Sequence, residues 1–370
     1  MTTKKNIILV FLGNYNFDAR CINMIDSLIS ANYSVSIIYV KQTNESLISN
    51  EKIKLYSLNI PKRGFGKYWA FHLGVKKILK QSTHNIIVAC DLFSLAAISA
   101  FKKESQLIYD CREIYSELFA HMNKPFYRFI WKKYEKKYIS NMHDVLFTAP
   151  TDLDFIKRLY PELYLQTRLH LIYNFPNYCK YEKSDLLQKK LGLKKSTKII
   201  LYQGVMQKGR GVEVLIKSIN DINNAVAVFL GGGESLQYFK NLVERLELQH
   251  KCYFINRVPY SKMLQYTCSA DLGWAVINPN SISNQFALPN KLFEYILMGL
   301  PVLVSKLINI SSLLGKRDFI TVVDFHDIEN IKLKTNLVLS RQHDNKNIHK
   351  IAKTFTWQSQ SNEFIKILKD

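Results

Sequence analysis

A short amphipathic segment in the last third of the chain carries one acidic side chain. It runs from 288 to 305, with the sequence Leu-Pro-Asn-Lys-Leu-Phe-Glu-Tyr-Ile-Leu-Met-Gly-Leu-Pro-Val-Leu-Val-Ser, and its apolar residues recur at helical spacing. The pattern predicts a helix that buries Leu292 and directs Lys291, Glu294 and Met298 away from the core. A carboxylate in this place could accept hydrogen bonds from a bound ligand. The alternative is a solvent-exposed pair of Lys291 and Glu294 at i,i+3.

A glycine-rich loop upstream has the composition of a phosphate-binding turn. The run from 198 to 219, Lys-Ile-Ile-Leu-Tyr-Gln-Gly-Val-Met-Gln-Lys-Gly-Arg-Gly-Val-Glu-Val-Leu-Ile-Lys-Ser-Ile, predicts a strand, a loop and a helix. Backbone N–H groups at the start of that helix, together with Lys208 and Arg210, could bind a diphosphate. The glycines that permit a close approach of the backbone are Gly204, Gly209 and Gly211. A purely structural turn between strand and helix is the alternative.

Two polar clusters in the first half each follow a predicted strand. The first, in the run Ile-Tyr-Asp-Cys-Arg-Glu-Ile-Tyr-Ser-Glu, contains Asp110, Arg112 and Glu113. Arginine keeps its charge near neutral pH, so Arg112 could stabilise an anion but could not pass a proton. The second, Gly-Asn-Tyr-Asn-Phe-Asp-Ala-Arg, begins at Gly13 and ends with Asp18 and Arg20. Asp18 is either the N-cap of the first helix or a functional residue.

Strand-like apolar runs alternate with amphipathic helical stretches along the whole chain, which is typical of parallel α/β domains. Strands are predicted near residues 6–12, 34–40, 52–60, 85–91, 106–111, 144–150, 169–174, 198–204, 225–231, 251–258, 271–277, 301–305 and 319–324. The alternation is interrupted between 174 and 193. The sequence therefore predicts two doubly wound sheets, in domains at 1–176 and 177–354, followed by a terminal helical segment at 355–370.

Composition limits the class of protein and the kind of partner. The 370 residues fit two domains, and the apolar runs are far shorter than the roughly 20 residues that span a bilayer, which predicts a cytoplasmic protein. The six cysteines form no C-x-x-C pair, so neither a zinc site nor a disulfide framework is indicated. A formal net charge of +21 predicts an anionic partner: a membrane surface, a lipid phosphate, an acidic glycan or nucleic acid. Nucleic acid is the weakest of these, because no nucleic-acid motif is present.

Basic and aromatic residues coincide on two predicted helices of the first half. The first basic run contains Lys62, Arg63, Lys67, Lys76, Lys77 and Lys80. The second contains Lys124, Arg128, Lys132, Lys133, Lys136 and Lys137. Aromatic residues interleave with both runs: Tyr68, Trp69, Phe71, Phe126, Tyr127, Phe129, Trp131 and Tyr134. Such helices are typical of membrane interfaces, and two ordinary amphipathic helices with solvated lysines are the open alternative.

The segment around Glu294 resembles the donor-sugar signature of the retaining glycosyltransferases of family 4, in which two glutamates stand eight positions apart. Glu294 matches the second glutamate, and Phe286 occupies the place of the first. The glycine-rich loop is similar to the family's G-R-L-x-x-x-K-G loop. With its first and last glycines superposed, Arg210 stands at the family's lysine and Val205 at its arginine. The stretch 355–368 resembles the family's terminal helix, which crosses back to the first domain.

The resemblance implies the GT-B architecture, in which two Rossmann-like domains face each other and substrates bind in the cleft. It implies that Glu294 accepts hydrogen bonds from the ribose of a nucleotide diphosphate sugar and that Arg210 clamps the diphosphate, with Lys208 as a substitute for the missing arginine. The implied donor site contains Gly13, Gly204, Lys208, Arg210, Gly232, Val258, Asn290, Lys291, Leu292 and Glu294. Backbone groups near Val258 would contact the base, so the choice between uridine and guanosine stays open. No D-x-D metal motif stands out, and neither a metal nor a bound cofactor is expected.

In the first domain, the run that contains Arg112 resembles the family's YDxHE turn, with the arginine in place of the histidine. General-base catalysis at this position is therefore not expected. Arg112 would instead hold an acceptor phosphate or the leaving diphosphate, and Asp110 and Glu113 could serve the acceptor hydroxyl.

The sequence predicts a retaining glycosyltransferase that moves a sugar from a UDP- or GDP-sugar to a glycan or lipid-linked acceptor. Bacterial surface polysaccharide synthesis at the inner face of the membrane is the expected setting. Two alternatives remain: an isomerase similar to the nucleotide-sugar 2-epimerases, and a non-catalytic nucleotide-sugar-binding protein. The substitutions at Phe286 and Arg112 argue mildly against the isomerase and keep the binding protein open.

Overall fold

The first sheet consists of seven parallel strands. The structure is a computed structural model, and it describes residues 5–41, 52–61, 64–180 and 182–369. The strands are β1 (Asn6–Val10), β2 (Ser34–Val40), β3 (Ile53–Leu58), β4 (Ile86–Ala89), β5 (Gln106–Cys111), β6 (Asp144–Phe147) and β7 (Arg168–Leu171). They lie in the order β3-β2-β1-β4-β5-β6-β7. The helices between them are α1 (Ala19–Ser30), α2 (Phe65–Lys80), α3 (Leu95–Ile98), α4 (Pro125–Ile139) and α5 (Pro150–Leu159).

The second sheet has six parallel strands. These are β8 (Lys198–Val205), β9 (Ala225–Gly232), β10 (Cys252–Ile255), β11 (Leu272–Ala275), β12 (Val302–Ser305) and β13 (Ile320–Val323), in the order β10-β9-β8-β11-β12-β13. The accompanying helices are α6 (Leu186–Leu191), α7 (Val212–Ser218), α8 (Leu236–Arg245), α9 (Tyr260–Thr267), α10 (Ile282–Gln285), α11 (Asn290–Leu297), α12 (Ile308–Leu314), α13 (Ile328–Ser340) and α14 (Asn345–Ala352).

Burial explains why both sheets are parallel. Strands β4, β6, β11 and β12 are buried along their whole length, as expected when helices cover both faces of a sheet. Every predicted strand is found in the described residues, so the predicted α/β fold with two doubly wound sheets is confirmed.

The chain divides into two units, one formed by residues 1–174 and 358–370 and the other by residues 175–357. The last helix, α15 (Trp357–Ile367), joins the first unit apart from its first residue. Ser361 Oγ donates to Ser27 Oγ at 2.8 Å, and the backbone N–H of Tyr173 donates to Gln360 Oε1 at 2.9 Å. The terminal helix thus packs on the first unit.

Two of the residues in the first basic run, Lys62 and Arg63, lie outside the described residues. Across the ranges that the structure covers, no helix combines the length and the apolar composition needed to cross a bilayer.

Candidate functional site

The glycine-rich loop lies at the switch point of the second sheet. It follows β8, and the order of the strands reverses between β8 and β11. Residues in β11 and just after it hold the loop in place: the indole N–H of Trp274 donates to the Gly211 carbonyl at 3.0 Å, and the backbone N–H of Asn278 donates to the Gly209 carbonyl at 3.0 Å. In open α/β sheets, ligands bind in the crevice at such a point.

Two glycines in this region allow backbone contacts that no other residue would permit. Gly211 has a φ of +83°, and a Cβ placed there would lie 1.8 Å from the Val276 carbonyl oxygen. A Cβ at Gly231 would lie 2.1 Å from the carbonyl oxygen of Gly204, on the neighbouring strand. The path of the loop therefore requires glycine at position 211, where the backbone approaches the Val276 carbonyl. Arg210 immediately precedes this glycine.

Glu294 lies on α11 and is only 5% exposed. Gln203 Nε2, at the end of β8, donates to Glu294 Oε2 at 2.5 Å, and the Thr267 hydroxyl donates to Gln203 Oε1 at 2.8 Å. These two hydrogen bonds, from Thr267 to Gln203 and from Gln203 to Glu294, fix the orientation of the carboxylate. Burial raises the pKa of Glu294 to about 7, against the opposing effects of the Gln203 hydrogen bond and the Lys291 charge.

The predicted orientation of α11 is partly wrong. Leu292 faces the core as expected, but Glu294 and Met298 are buried as well, with Met298 only 2% exposed. The helix packs against α9, α14, β11 and β12, so residues on several of its faces are covered. The interpretation of Lys291 and Glu294 as a solvent-exposed pair is therefore excluded.

Lys291 places its ammonium group over the ring of Tyr202, 3.6 Å from the ring centroid. The nitrogen is buried and has no hydrogen-bond partner in the part of the chain that the structure describes. Burial lowers the pKa of Lys291 well below its ordinary value, and the nearby charge of Arg210 lowers it further, whereas Glu294 acts in the opposite direction. The structure thus places a buried lysine amine beside Arg210 of the glycine-rich loop.

The other predicted donor residues of the second unit lie at the end of a strand or in the segments that follow strands of the second sheet. Gly232 ends β9, and its carbonyl accepts from the backbone N–H of Met206 at 2.8 Å. Val258 lies in the loop between β10 and α9, and Asn290 is the first residue of α11. Their predicted contacts with the donor remain predictions.

Two residues of the predicted site, Leu292 and Lys208, need correction, and Phe286, which stands in the place of the family's first glutamate, needs comment. Leu292 is fully buried, so its side chain cannot contact a donor. Lys208 is exposed and lies over the ring of Tyr238, 4.4 Å from the centroid, which turns it toward α8. Phe286 ends α10, and its carbonyl accepts from Asn309 Nδ2 at 2.6 Å. Lys291, rather than Lys208, is the buried lysine beside Arg210.

In the first unit, Asp110 is the centre of a buried ion-pair network. It is fully buried at the end of β5, and Arg20 Nε donates to both of its carboxylate oxygens, at 2.8 and 3.0 Å. Arg112 Nε donates to Asp110 Oδ2 at 2.7 Å. Burial alone would raise the pKa of Asp110, but the charges of Arg20 and Arg112 lower it below its ordinary value. The predicted role of Asp110 at the acceptor hydroxyl does not fit this burial.

Arg112 is likewise committed to contacts within the unit. Its Nη1 donates to Asp18 Oδ2 at 2.7 Å, and its Nη2 contacts Cys21 Sγ at 3.3 Å. With Asp110 and Asp18 both paired to it, its charge is already compensated, which does not favour the predicted role as an anion receptor. Asp18 is the N-cap of α1, one of its two predicted roles, because it accepts from the backbone N–H of Cys21 at 2.7 Å. A functional role for Asp18 stays a prediction.

Glu113 and two residues that the sequence analysis missed are acidic groups at the same edge of the first sheet. Glu113 is exposed. Asp152, in the first turn of α5, is 6% exposed, and burial followed by the charge of Glu113 raises its pKa to about 8. Asp91, after β4, accepts from the backbone N–H of Leu12 at 2.5 Å and so links β4 to the chain after β1. Both missed residues resemble ordinary helix N-terminal acids in the sequence, so no motif marks them.

Gly13 lies in the loop after β1. Its carbonyl accepts from the backbone N–H of Val40 at 3.0 Å, and a Cβ there would meet the ring of Phe11 at 2.6 Å. The predicted contact of Gly13 with a substrate stays a prediction.

Comparisons with known proteins agree with this arrangement. Residues 183–355 match the model of the family "Glycosyl transferases group 1". An uncharacterised glycosyltransferase of Methanocaldococcus jannaschii is 27% identical over 149 residues, a match that covers 38% of this chain and 37% of that protein. The chain thus matches well under two thirds of the length of this relative.

Solved structures are similar over nearly the full length. A sucrose-phosphate synthase from Thermosynechococcus elongatus has a TM-score of 0.80 at 16% identity, covering 99% of this chain and 98% of that chain. Anabaena HepE in complex with UDP and glucose gives 0.74 at 12% identity, covering 99% of both chains. WaaG, a glycosyltransferase involved in lipopolysaccharide biosynthesis, gives 0.73 at 16% identity, covering 98% of this chain and 99% of that chain. The protein has the fold of the GT-B glycosyltransferases, with two Rossmann-like domains, and residues 183–355 of its second unit match the glycosyl transferases group 1 model.

Proposed function

We propose that this protein is a retaining glycosyltransferase that takes a sugar from a nucleotide diphosphate sugar. The observation that carries the proposal is the buried carboxylate of Glu294, which Gln203 orients at the switch point beside the glycine-rich loop. A largely buried carboxylate in a crevice of this kind suits a pair of neighbouring hydroxyls such as those of a ribose. Arg210, in the adjoining loop, supplies a positive charge for the diphosphate.

The reaction requires positive charge at the leaving group more than it requires a protein base. As the bond between the anomeric carbon and the phosphate oxygen breaks, negative charge accumulates on the diphosphate, where Arg210 stabilises it. The acceptor hydroxyl attacks from the same face, and its proton passes to the departing phosphate oxygen. The new bond keeps the anomeric configuration. Because protein cations supply the charge, we propose that transfer needs neither a metal ion nor a bound cofactor.

The donor assignment is tested with purified protein and UDP, GDP and their common sugars. We expect one nucleotide to raise the melting temperature, and its sugar to be consumed when a suitable acceptor is present. Binding without turnover over a broad acceptor panel would favour the non-catalytic binding protein, and release of an epimerised sugar would favour the isomerase. If no nucleotide binds, the proposal fails.

We propose further that the acceptor is a glycan or a lipid-linked glycan and that the protein works in the cytoplasm, at the inner face of a bacterial membrane, in surface polysaccharide synthesis. The support is an exposed apolar face with basic neighbours on the first unit. We call Trp69 and Leu73 of α2 and Phe126, Tyr127 and Phe129 of α4 the aromatic face; Trp69, Phe126 and Phe129 are 67%, 70% and 58% exposed.

The helices that carry the aromatic face contact each other through aromatic side chains. Tyr68 of α2 packs edge-on against Trp131 of α4, with ring centroids 6.1 Å apart. Lys133 lies over Phe129, and Lys124 over Tyr127, at 5.5 and 6.0 Å from the ring centroids. Aromatic side chains beside lysines are what an anionic lipid surface binds, because the rings enter the interface while the ammonium groups meet the head groups.

Replacing three members of the aromatic face, Trp69, Phe126 and Phe129, with serine should weaken binding to vesicles that contain an anionic lipid by about tenfold or more, because each aromatic ring loses its apolar contact. Vesicle sedimentation measures this. The matched control is Leu333→Ser, since Leu333 is 68% exposed on α13 in the other unit. Equal binding by the triple variant and the wild type would contradict the proposal, as would equal binding to neutral and anionic vesicles.

A further inference from the structure

The buried ammonium group of Lys291 is the feature of the second unit that the proposed function leaves unexplained. Its nitrogen is shielded from solvent and has no hydrogen-bond partner among the described residues. A buried charge without a partner is costly, and proteins normally pair such groups or neutralise them. The ammonium group instead lies against the face of the Tyr202 ring, 3.6 Å from the ring centroid.

The position of Lys291 in the chain adds to this cost. It is the second residue of α11, where the positive end of the helix dipole opposes a cation. No acidic residue lies in the first turn of that helix, and its N-cap, Pro289, makes no side-chain hydrogen bond. Both the burial and the dipole therefore act against the charged form in the free protein.

The groups around Lys291 are of the kind that bind an anion. Arg210 lies close enough to disfavour the charge on Lys291, and Glu294 favours that charge from the next turn of α11. Tyr202 covers the ammonium group, and Tyr260 faces Glu294 from α9. Two cations that repel each other across a crevice are stabilised together by a ligand with two adjacent negative charges.

We propose that Lys291 and Arg210 together form the receptor for the diphosphate of the donor, with the ammonium group of Lys291 turning from the Tyr202 ring to the ligand on binding. The inference rests on the proposed function for the identity of the ligand. It assigns to Lys291 the part that the sequence analysis gave to Lys208, which is exposed and lies over Tyr238. Lysine suits this part because its flexible stem can move a single charge between two positions.

A proton should accompany the ligand. Above the lowered pKa of Lys291 the free amine is uncharged, and the bound diphosphate favours the charged form, so binding takes up a proton there. Affinity for the diphosphate should then fall as the pH rises through that lowered pKa. Glu294 acts in the opposite sense, because hydroxyl donors favour its ionised form, so the Lys291 effect is measured as the difference between the wild type and a variant at that residue.

The test uses Lys291→Met, which keeps the length of the side chain and removes the amine. UDP, GDP and inorganic pyrophosphate are the probes, and the dissociation constant, the melting temperature of the free protein and the number of protons taken up are the readouts. We expect Lys291→Met to weaken binding of the pyrophosphate group by about 10- to 100-fold, to abolish proton uptake, and to leave the free protein as stable as the wild type or more stable.

The chain offers a closely matched control in Lys346→Met. Lys346 is also the second residue of an eight-residue helix that begins with Asn-Lys, α14, but it is exposed. The control has the same change in residue and net charge at the same helix position, and it should bind the probes as the wild type does.

Three results would overturn the inference. Unchanged binding by Lys291→Met would show that the amine does not contact the ligand. A fall in the melting temperature of the free variant by about 5 °C or more would show that Lys291 has a structural partner in Glu294. Absence of binding by the wild type to every probe would end both this inference and the proposed function. If pyrophosphate alone binds, in a manner that depends on Lys291, the anion site stands and the proposed nucleotide donor fails.

Discussion

Asp110→Asn is expected to lower the free energy of unfolding of the first unit by about 3–5 kcal/mol. The reason is the burial of the network: Asp110 is fully buried and Arg20 is 1% exposed, so removing the carboxylate leaves an arginine charge inside the unit without its partner. Arg112 loses one of its two carboxylate contacts at the same time. Urea denaturation followed by circular dichroism measures the change, with the transition of the first unit analysed separately.

Asp18→Asn is the control for this prediction. Asp18 also pairs with Arg112, but both side chains are partly exposed, at 24% and 18%, and asparagine is as good an N-cap for α1 as aspartate. Asp18→Asn should therefore lower the free energy of unfolding by about 1 kcal/mol or less. If the two variants lose equal stability, the network around Asp110 does not hold the unit together.

The pH dependence of stability gives an independent check on the same network. Because Arg20 and Arg112 lower the pKa of Asp110 below its ordinary value of 3.8, the native state binds fewer protons there than the unfolded state does. The contribution of Asp110 is therefore complete above that ordinary value and is lost as the pH falls through the lowered pKa. The wild type and Asp110→Asn should converge in stability only in strong acid.

The strands were predictable because a parallel sheet covered on both faces requires continuous apolar runs, and these stand out in the sequence. Glu294 and Arg210 were also predicted as site residues, because a motif of fixed spacing and a glycine-rich loop mark them, and their contacts with a donor stay predictions. The glycine-rich loop is marked in the sequence by its composition. The left-handed φ of Gly211 and its close approach to Val276 both require glycine at this position. Strands, motifs and loops that depend on short stretches of sequence were therefore predictable.

Burial and pairing were not predictable, because they depend on distant parts of the chain. A helical wheel describes α11 alone, whereas β11, β12, α9 and α14 determine which faces are covered, and this is why Glu294 and Met298 were misplaced. Arg112 is paired by Asp110, two residues before it, and by Asp18, 94 residues before it, and only the fold brings these together. The partner of Glu294, Gln203, lies 91 residues away.

Glu294→Gln is expected to weaken nucleotide binding by about 10- to 100-fold at pH 8, because an amide accepts hydrogen bonds from ribose hydroxyls without the charge that strengthens them. The same change should stabilise the free protein at that pH. Burial raises the pKa of Glu294 to about 7, from its ordinary 4.5, so the native state binds more protons than the unfolded state between these values. The wild type therefore loses stability as the pH rises from about 4.5 to about 7, and a neutral glutamine avoids this loss.

The ratio of the wild-type affinity for the nucleotide to that of Glu294→Gln isolates the effect of the Glu294 carboxylate from the effects of the other groups at the site. At pH 6 the carboxyl group is mostly protonated and resembles glutamine, so the wild type and Glu294→Gln should bind UDP or GDP with affinities within a few-fold of each other. At pH 8 the carboxylate is ionised, and the ratio should rise by about tenfold. Because Lys291 is present in both proteins, its own titration largely cancels from the ratio. Calorimetric titration at the two pH values measures it, and a ratio that stays constant between pH 6 and pH 8 would mean that the Glu294 carboxylate does not contact the nucleotide.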